Sequence, residues 1–154
     1  MAAAVLVSVT VGLVFNQNVL EVVFAAQLAK DHEKCFVDLT AVDEKFDTVS
    51  AQVALLDLAG IRLTVPDESD AFAVIDVRYC QYDEGGMAHI LCEWRGQPVS
   101  LFVVPGRSRR ERRIETIEHN AVIWSEDDTG FAIVAEQGPV EMAPIVEYVR
   151  NFAD

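Results

Sequence analysis

A mainly antiparallel α+β domain with two packed helices, preceded by an N-terminal transmembrane helix, is the architecture that this sequence predicts. An apolar, charge-free run opens the chain, and two later segments carry apolar residues at helical spacing. The strand candidates between those segments follow one another with hairpin turn residues separating them. Strands that come in a run pair with their neighbours along the chain, so the sheet is expected to be antiparallel.

Residues 1–30 are expected to form a membrane anchor whose helix continues into the soluble domain. Residues 1–20 carry no charge, and the first basic residue is Lys30. The strongly apolar run, residues 2–15, is shorter than the about 20 residues that a bilayer requires, and lengthening it adds the amides of residues 16–18. A secretory signal peptide would carry basic residues ahead of this run, and none occur here. A buried β-branched strand followed by a helix is the alternative.

Residues 31–154 are expected to form the extracytoplasmic α+β domain. Its predicted elements are a strand at 35–39, a helix at 43–58, strands at 61–65, 72–82, 87–95 and 99–104, a hairpin of 121–125 with 131–135, and a closing helix at 142–152. Phe46, Val49, Val53 and Leu56 recur at spacings of three and four, which is typical of an amphipathic helix, and Gly60 is its expected C-terminal stop.

Length and charge limit the possible functions. The chain has 154 residues, which suits one globular domain, and 12 basic against 25 acidic residues give a formal net charge of −13. A surface this acidic repels a phosphate backbone, so nucleic acid is not expected as a partner. Apolar residues make up 51% of the chain, which argues against intrinsic disorder.

The turn at residues 83–86 predicts which side chains share a face of the sheet. A turn centred on residues 84 and 85 pairs Cys80 with His89, and directly paired residues point to the same face. That face is mixed in polarity, whereas the opposite one is apolar and is the expected core, with Cys92 as a small buried hydrophobe. The residues expected on the apolar face are Ala73, Ile75, Val77, Tyr79, Ala88, Ile90, Cys92 and Trp94.

A metal site is one of three interpretations of the histidines and cysteines. His32 and Cys35 have a ligand-like spacing, and Cys80 with His89 would complete a Cys2His2 set suited to zinc or to copper. The other two interpretations are a Cys35–Cys80 disulfide and plain packed thiols. A cysteine nucleophile with His89 as its base is weaker, because no orienting group or oxyanion site can be named, so an enzyme is not expected. His119 is expected at the surface.

One basic cluster stands out in this acidic chain. It follows residues 105 and 106 and consists of Arg107, Arg109, Arg110, Arg112 and Arg113. It is either a solvated loop balanced by nearby glutamates or a contact for an acidic protein partner or anionic lipid headgroups.

Five blocks of sequence resemble a known family. In order they are DHEKCF at 31–36, RYC at 78–80, GMAH at 86–89, PVSLFVVP at 98–105 and AVIWS at 121–125. Together they resemble the extracytoplasmic domain of bacterial transmembrane anti-sigma factors of the zinc-finger type. The resemblance covers roughly residues 20–150 and places His32, Cys35, Cys80 and His89 at equivalent positions. It departs from the family at Cys92, where an aromatic residue is expected, and the chain is expected to lack the N-terminal cytoplasmic domain that binds a sigma factor.

These observations together predict a non-enzymatic, single-pass membrane protein with its soluble domain in the periplasm. Its expected function is to sense a signal or bind a protein partner at the membrane, with a metal or redox response through the four residues named above. The alternative is an accessory structural subunit of a larger membrane complex, held by the N-terminal helix and the arginine cluster.

Overall fold

The computed structural model describes residues 2–39, 46–65, 69, 71–82, 85–106 and 108–153, and the side chains of residues 19–151 within those ranges. The elements in the described residues are α1 (Ala2–Asp38), α2 (Thr48–Ala59), β1 (Phe72–Tyr82), β2 (Gly85–Trp94), β3 (Gln97–Pro105), β4 (Arg112–Glu115), β5 (His119–Glu126), β6 (Thr129–Glu136) and α3 (Met142–Ala153). The strands form one sheet in the order β1-β2-β3-β6-β5-β4, and every neighbouring pair is antiparallel. The α+β architecture and the antiparallel sheet are therefore as predicted.

The sheet is covered on both faces. α2 and α3 pack on one face, where Leu55 and Ile145 join a core that contains Ile90, Leu101 and Trp124. α1 packs on the other face, over a second core cluster that includes side chains of β2, β3, β5 and β6. Burying one large apolar side chain is worth about 1.5–3 kcal/mol, so both layers contribute to the stability of the fold.

The position of α1 corrects the largest error of the sequence-based expectations. No helix in the described part of the chain is long and apolar enough to span a membrane. The predicted transmembrane anchor and the single-pass membrane localisation are therefore wrong. Phe24, Ala25, Leu28 and Ala29 are instead buried against the sheet, at 0–5% exposure. These four side chains contact the second face of the sheet.

α1 also continues further than expected. Residues 35–39 were predicted as a strand, but α1 runs to Asp38 and passes through the expected boundary at residue 30. Leu28, His32 and Cys35 lie at helical spacings of three and four, and all three side chains are buried. The residues expected to open the domain as a strand therefore extend the face of α1 that rests on the sheet.

β1 and β2 pair in a register two residues away from the predicted one. Tyr82 lies opposite Gly85, so Cys80 faces Met87 and Arg78 faces His89. The predicted direct pairing of Cys80 with His89 is wrong. A shift of two residues leaves every side chain on its original face, so the two residues still share one face of the sheet.

A β-bulge between Val74 and Asp76 corrects the predicted core at the start of β1. One extra residue in a strand reverses the facing of the residues on one side of the bulge. Val74 therefore enters the apolar core, although Ala73 and Ile75 were the residues expected there. Beyond the bulge the alternation matches the prediction at Val77, whereas Tyr79 is 48% exposed.

α2 turns its apolar stripe outward. Val49, Val53 and Leu56, whose spacing predicted the helix, are 69%, 52% and 44% exposed. Ala51 and Leu55 make the contact with the core instead. Residues 61–65, predicted as a strand, are not paired into the sheet, although alternate side chains of this segment are buried.

Candidate functional site

Two histidines and a serine meet beneath α1. His32 Nδ1 on α1 lies 2.9 Å from Ser100 Oγ on β3, and His89 Nε2 on β2 lies 2.7 Å from the same oxygen. All three residues are buried, at 0–2% exposure. The imidazole of His89 stacks on Phe102 with 4.1 Å between ring centroids. One hydroxyl therefore joins the helix to two neighbouring strands.

The direction of these hydrogen bonds follows from one unpaired atom. His89 Nδ1 is buried and has no hydrogen-bond partner among the described residues. Because orphaned buried N–H groups are rarer than orphaned acceptors, Nδ1 carries the lone pair and Nε2 carries the proton. His89 Nε2–H then donates to Ser100 Oγ. His32 Nδ1 is the remaining partner of that hydroxyl among the described residues, so the buried Ser100 proton is donated to it. His32 in its neutral form consequently carries its proton on Nε2.

Burial keeps both imidazoles neutral. It lowers the pKa of His32 to about 4, with a further lowering from the nearby His119. It lowers the pKa of His89 to about 3, with smaller contributions from the charges of His32 and Arg78. A protonated ring would be a poorly solvated cation between α1 and the sheet, so protonation works against the docking of this helix.

A second polar group contains the two cysteines of the predicted site. Arg78 on β1 lies close to Cys35 on α1, and its Nε lies 2.7 Å from Asp76 Oδ2. Cys80 is half-buried on the same strand, and the Tyr82 hydroxyl donates to Asp31 of α1. These contacts form a second polar connection between α1 and the sheet.

Both thiols are free and protonated. The chain has three cysteines, and all of them are free thiols, so the Cys35–Cys80 disulfide, one of the three interpretations of these residues, is not formed. Burial raises the pKa of Cys35, and Arg78 opposes part of that rise. Burial also raises the pKa of Cys80 to about 11, with additional increases from the charges of Cys35 and Asp31. A thiolate nucleophile needs the opposite shift.

The four predicted site residues lie on one face of the sheet but fall into two groups. His32 and His89 meet at Ser100, whereas Cys35 and Cys80 lie near Arg78. Within the described ranges, no three His, Cys, Asp or Glu side chains are arranged to hold a metal ion. As arranged, the residues do not form a tetrahedral set, and zinc or copper binding stays a prediction.

Part of the arginine cluster holds α1. Arg109 Cζ lies 4.2 Å from the ring centroid of Phe24, and Arg112 Nε lies 3.3 Å from Glu21 Oε2. Arg110 and Arg113 are exposed, and Arg107 lies outside the described residues. No sequence signal indicates this contact, because Glu21 and Phe24 belong to the segment that is predicted as the membrane anchor and its continuation.

A groove of about 740 Å³ adjoins His32, and sequence reasoning missed it. It is lined by His32, Glu33, Phe36, Val37, Pro98, Glu118, His119, Glu136 and Gln137. His119, expected at the surface, is only 7% exposed, and its ring lies edge-on to His32 with 5.3 Å between centroids. No local sequence signal could have paired these residues, because they come from α1, β3, β5, β6 and the connections between the strands.

Comparisons with protein-family models, curated proteins and solved structures find no match to this chain. The likeness to anti-sigma factor domains therefore rests on the five sequence blocks alone.

Proposed function

We propose that this chain is a non-catalytic sensory and partner-binding domain resembling those of anti-sigma factors, in which the junction between α1 and the sheet responds to the signal. One observation carries the proposal. The helix is held over the sheet by buried polar contacts, His32–Ser100–His89, and by neighbouring groups that include two free thiols. An interface made only of apolar contacts would have no group through which metal or oxidant could act.

Oxidation of the two thiols would change how firmly α1 is attached to the sheet. Cys35 belongs to α1 and Cys80 to β1, so any bond that joins them ties the helix to the sheet. Oxidised glutathione would convert the two thiols into one disulfide and leave as two molecules of reduced glutathione. Because burial raises both thiol pKa values, this reaction is expected to be slow until α1 opens.

Hydrogen exchange in residues 24–36 tests the proposal directly. The purified chain is measured alone and with Zn²⁺, Cu⁺ or oxidised glutathione. At least one treatment is expected to change the exchange protection of this segment by about tenfold or more, because it adds a bond between α1 and the sheet.

The control for this experiment is the double variant Cys35→Ser/Cys80→Ser, which should lose the response. Cys92→Ala is the matched cysteine variant, since Cys92 lies in the opposite core cluster and should leave the response intact. An unchanged exchange pattern under all three treatments, or the same change in the double variant, refutes the proposal.

A second candidate is an accessory subunit of a larger protein assembly, and the exposed apolar residues favour it. Val49, Val53 and Leu56 form the outward stripe of α2. Exposed apolar patches are typical of protein–protein contact surfaces. The native size of the tagged chain in extracts of its own host should exceed that of a monomer and fall to monomer size in Val49→Glu/Val53→Glu. A monomeric size for the unaltered chain excludes this function.

A further inference from the structure

The groove beside His32 combines a negative charge with enclosed polar groups. Three of its lining residues, Glu33, Glu118 and Glu136, are acidic, and none of the described residues that line it is a lysine or arginine. Its volume of about 740 Å³ falls within the range of pockets that hold ligands or peptide side chains. Carboxylates alone would indicate only a solvated acidic surface. The two histidines that line the groove are the second observation that points to a ligand.

Each of these histidines uses one ring nitrogen inside the protein. His119 Nδ1 lies 3.3 Å from the carbonyl oxygen of Ile117, and His32 Nδ1 lies 2.9 Å from Ser100 Oγ. The Nε2 atom of each ring has no hydrogen-bond partner in the described part of the chain, and neither atom is fully enclosed. At 2% and 7% exposure, two nearly buried imidazoles therefore each leave one polar atom available to the groove.

The two Nε2 atoms have different roles. A carbonyl oxygen only accepts, so His119 carries its proton on Nδ1, and its Nε2 offers a lone pair when the ring is neutral. The hydrogen-bond chain through Ser100 places the proton of His32 on Nε2, which is therefore a donor. The groove thus offers one imidazole acceptor and one imidazole donor beside three carboxylates.

We propose that this groove binds a basic segment of a partner protein, with a lysine or arginine side chain held among the glutamates. The proposal rests on the partner-binding function proposed above and names the chemistry of the partner. The carboxylates and His119 Nε2 accept from the cation, and the ring of Phe36 offers it an aromatic face. His32 Nε2–H is suited to a backbone carbonyl of the same segment. The net charge of −13 attracts such a segment at long range.

Two other occupants fit the groove less well. An anion would be repelled by the three carboxylates that line the groove. A metal ion would need a lone pair from His32 Nε2, and His32 Nδ1 would then carry the proton and no longer accept from the Ser100 hydroxyl. Either the Ser100 hydroxyl or an N–H at His89 Nδ1 would then be buried without an acceptor among the described residues.

Fluorescence anisotropy with short peptides tests the proposal. The probe is a labelled, acetylated and amidated peptide of alternating glycine and arginine, and the comparison peptide carries glutamine in place of each arginine. The arginine peptide should bind the whole chain at least about tenfold more tightly, and less tightly as salt rises. Glu33→Gln/Glu136→Gln should weaken its binding by about five- to tenfold, because two carboxylates of the groove are lost.

Glu141→Gln is the matched control, because Glu141 is exposed and does not line the groove. It should change the affinity by less than about twofold, which separates groove binding from attraction to the acidic chain as a whole. Equal binding of the two peptides, or equal effects of the groove and control variants, overturns the proposal. So does tight binding of Zn²⁺ alone that is lost in His119→Gln, which would make the groove a metal site. The hydrogen-exchange response of the cysteines is independent of these variants, so the two proposals can fail separately.

Discussion

Mild acid is expected to destabilise this domain through the two histidines beneath α1. Burial lowers the pKa of His32 to about 4 and that of His89 to about 3, whereas an unfolded histidine has a pKa near 6.5. Below pH 6.5 the unfolded chain therefore binds protons that the folded chain does not. The stability that the neutral rings contribute is complete above this value and is lost as the pH falls towards the pKa values of the folded state.

The size of the effect at pH 5 follows from these values. Each unfolded imidazole is then almost fully protonated, while both folded rings remain largely neutral. The difference is about 2 kcal/mol for each ring and about 4 kcal/mol for the pair. Because a domain of this size is typically stable by about 5–15 kcal/mol, this loss should be readily measurable.

Urea unfolding at pH 7.5 and pH 5.0 measures this loss, and NMR titration of the imidazole protons assigns it. The free energy of unfolding should fall by about 4 kcal/mol between the two pH values. In His32→Gln/His89→Gln most of that difference should disappear. If this variant does not fold, the titration of the unaltered chain still decides the question. Imidazole pKa values near 6.5 for both rings, or a change in stability below about 1 kcal/mol, would refute the reasoning.

Three further predictions concern the contacts that hold the fold together, and urea unfolding checks each of them. Ser100→Ala leaves two buried ring nitrogens without their partner and should lower the free energy of unfolding by about 2–6 kcal/mol. Ser108→Ala, at an exposed position, should lower it by less than about 0.5 kcal/mol. Equal losses in the two variants would contradict the hydrogen-bond chain. Leu28→Ala should cost about 2–5 kcal/mol, and a loss no greater than that of the half-exposed Val22→Ala would mean that α1 is not packed on the sheet. Gly60 ends α2, as predicted, in the left-handed region with φ of 66°, so Gly60→Ala should cost about 1 kcal/mol, and an unchanged stability would contradict that backbone conformation.

The strands were predictable because their signals are local. The bounds of β1 agree with the prediction at both ends, since alternating apolar residues and the turn after Tyr82 define it without help from the rest of the chain. The bulge after Val74 was not predictable, because a bulge leaves no distinct mark in the alternation. The bulge therefore made the prediction wrong only for the face to which the first residues of β1 point.

The environment of α1 could not be predicted from its own residues. A helix segment that is apolar on most sides is compatible with lipid or with a buried interface, and its sequence does not distinguish the two. The face of the sheet that it covers looked too polar to be a core, because His89 and Arg78 lie on it. His89 Nε2 contacts Ser100, and Arg78 pairs with Asp76 and lies close to Cys35 of α1. These contacts are a property of the assembled fold.

Only the part of the candidate site that depends on local strand alternation could be predicted. The side-chain alternation of β1 and β2 placed Cys80 and His89 on one face, and that remained correct despite the shifted register. Ser100 carried no signal, since its function depends on two histidines from other elements. The spacing of Val49, Val53 and Leu56 correctly predicted the helix α2. It did not predict that these side chains point to solvent and not to the core.

The two outer strands of the sheet bear on how the protein avoids self-association. β4 is only four residues long, and Arg112, Arg113 and Glu115 on it are exposed charges. The opposite border, β1, is longer but is interrupted by its bulge. Short, charged or bulged border strands are poor templates for an incoming strand of another chain. The exposed charges of this short strand therefore disfavour the addition of another strand at that border.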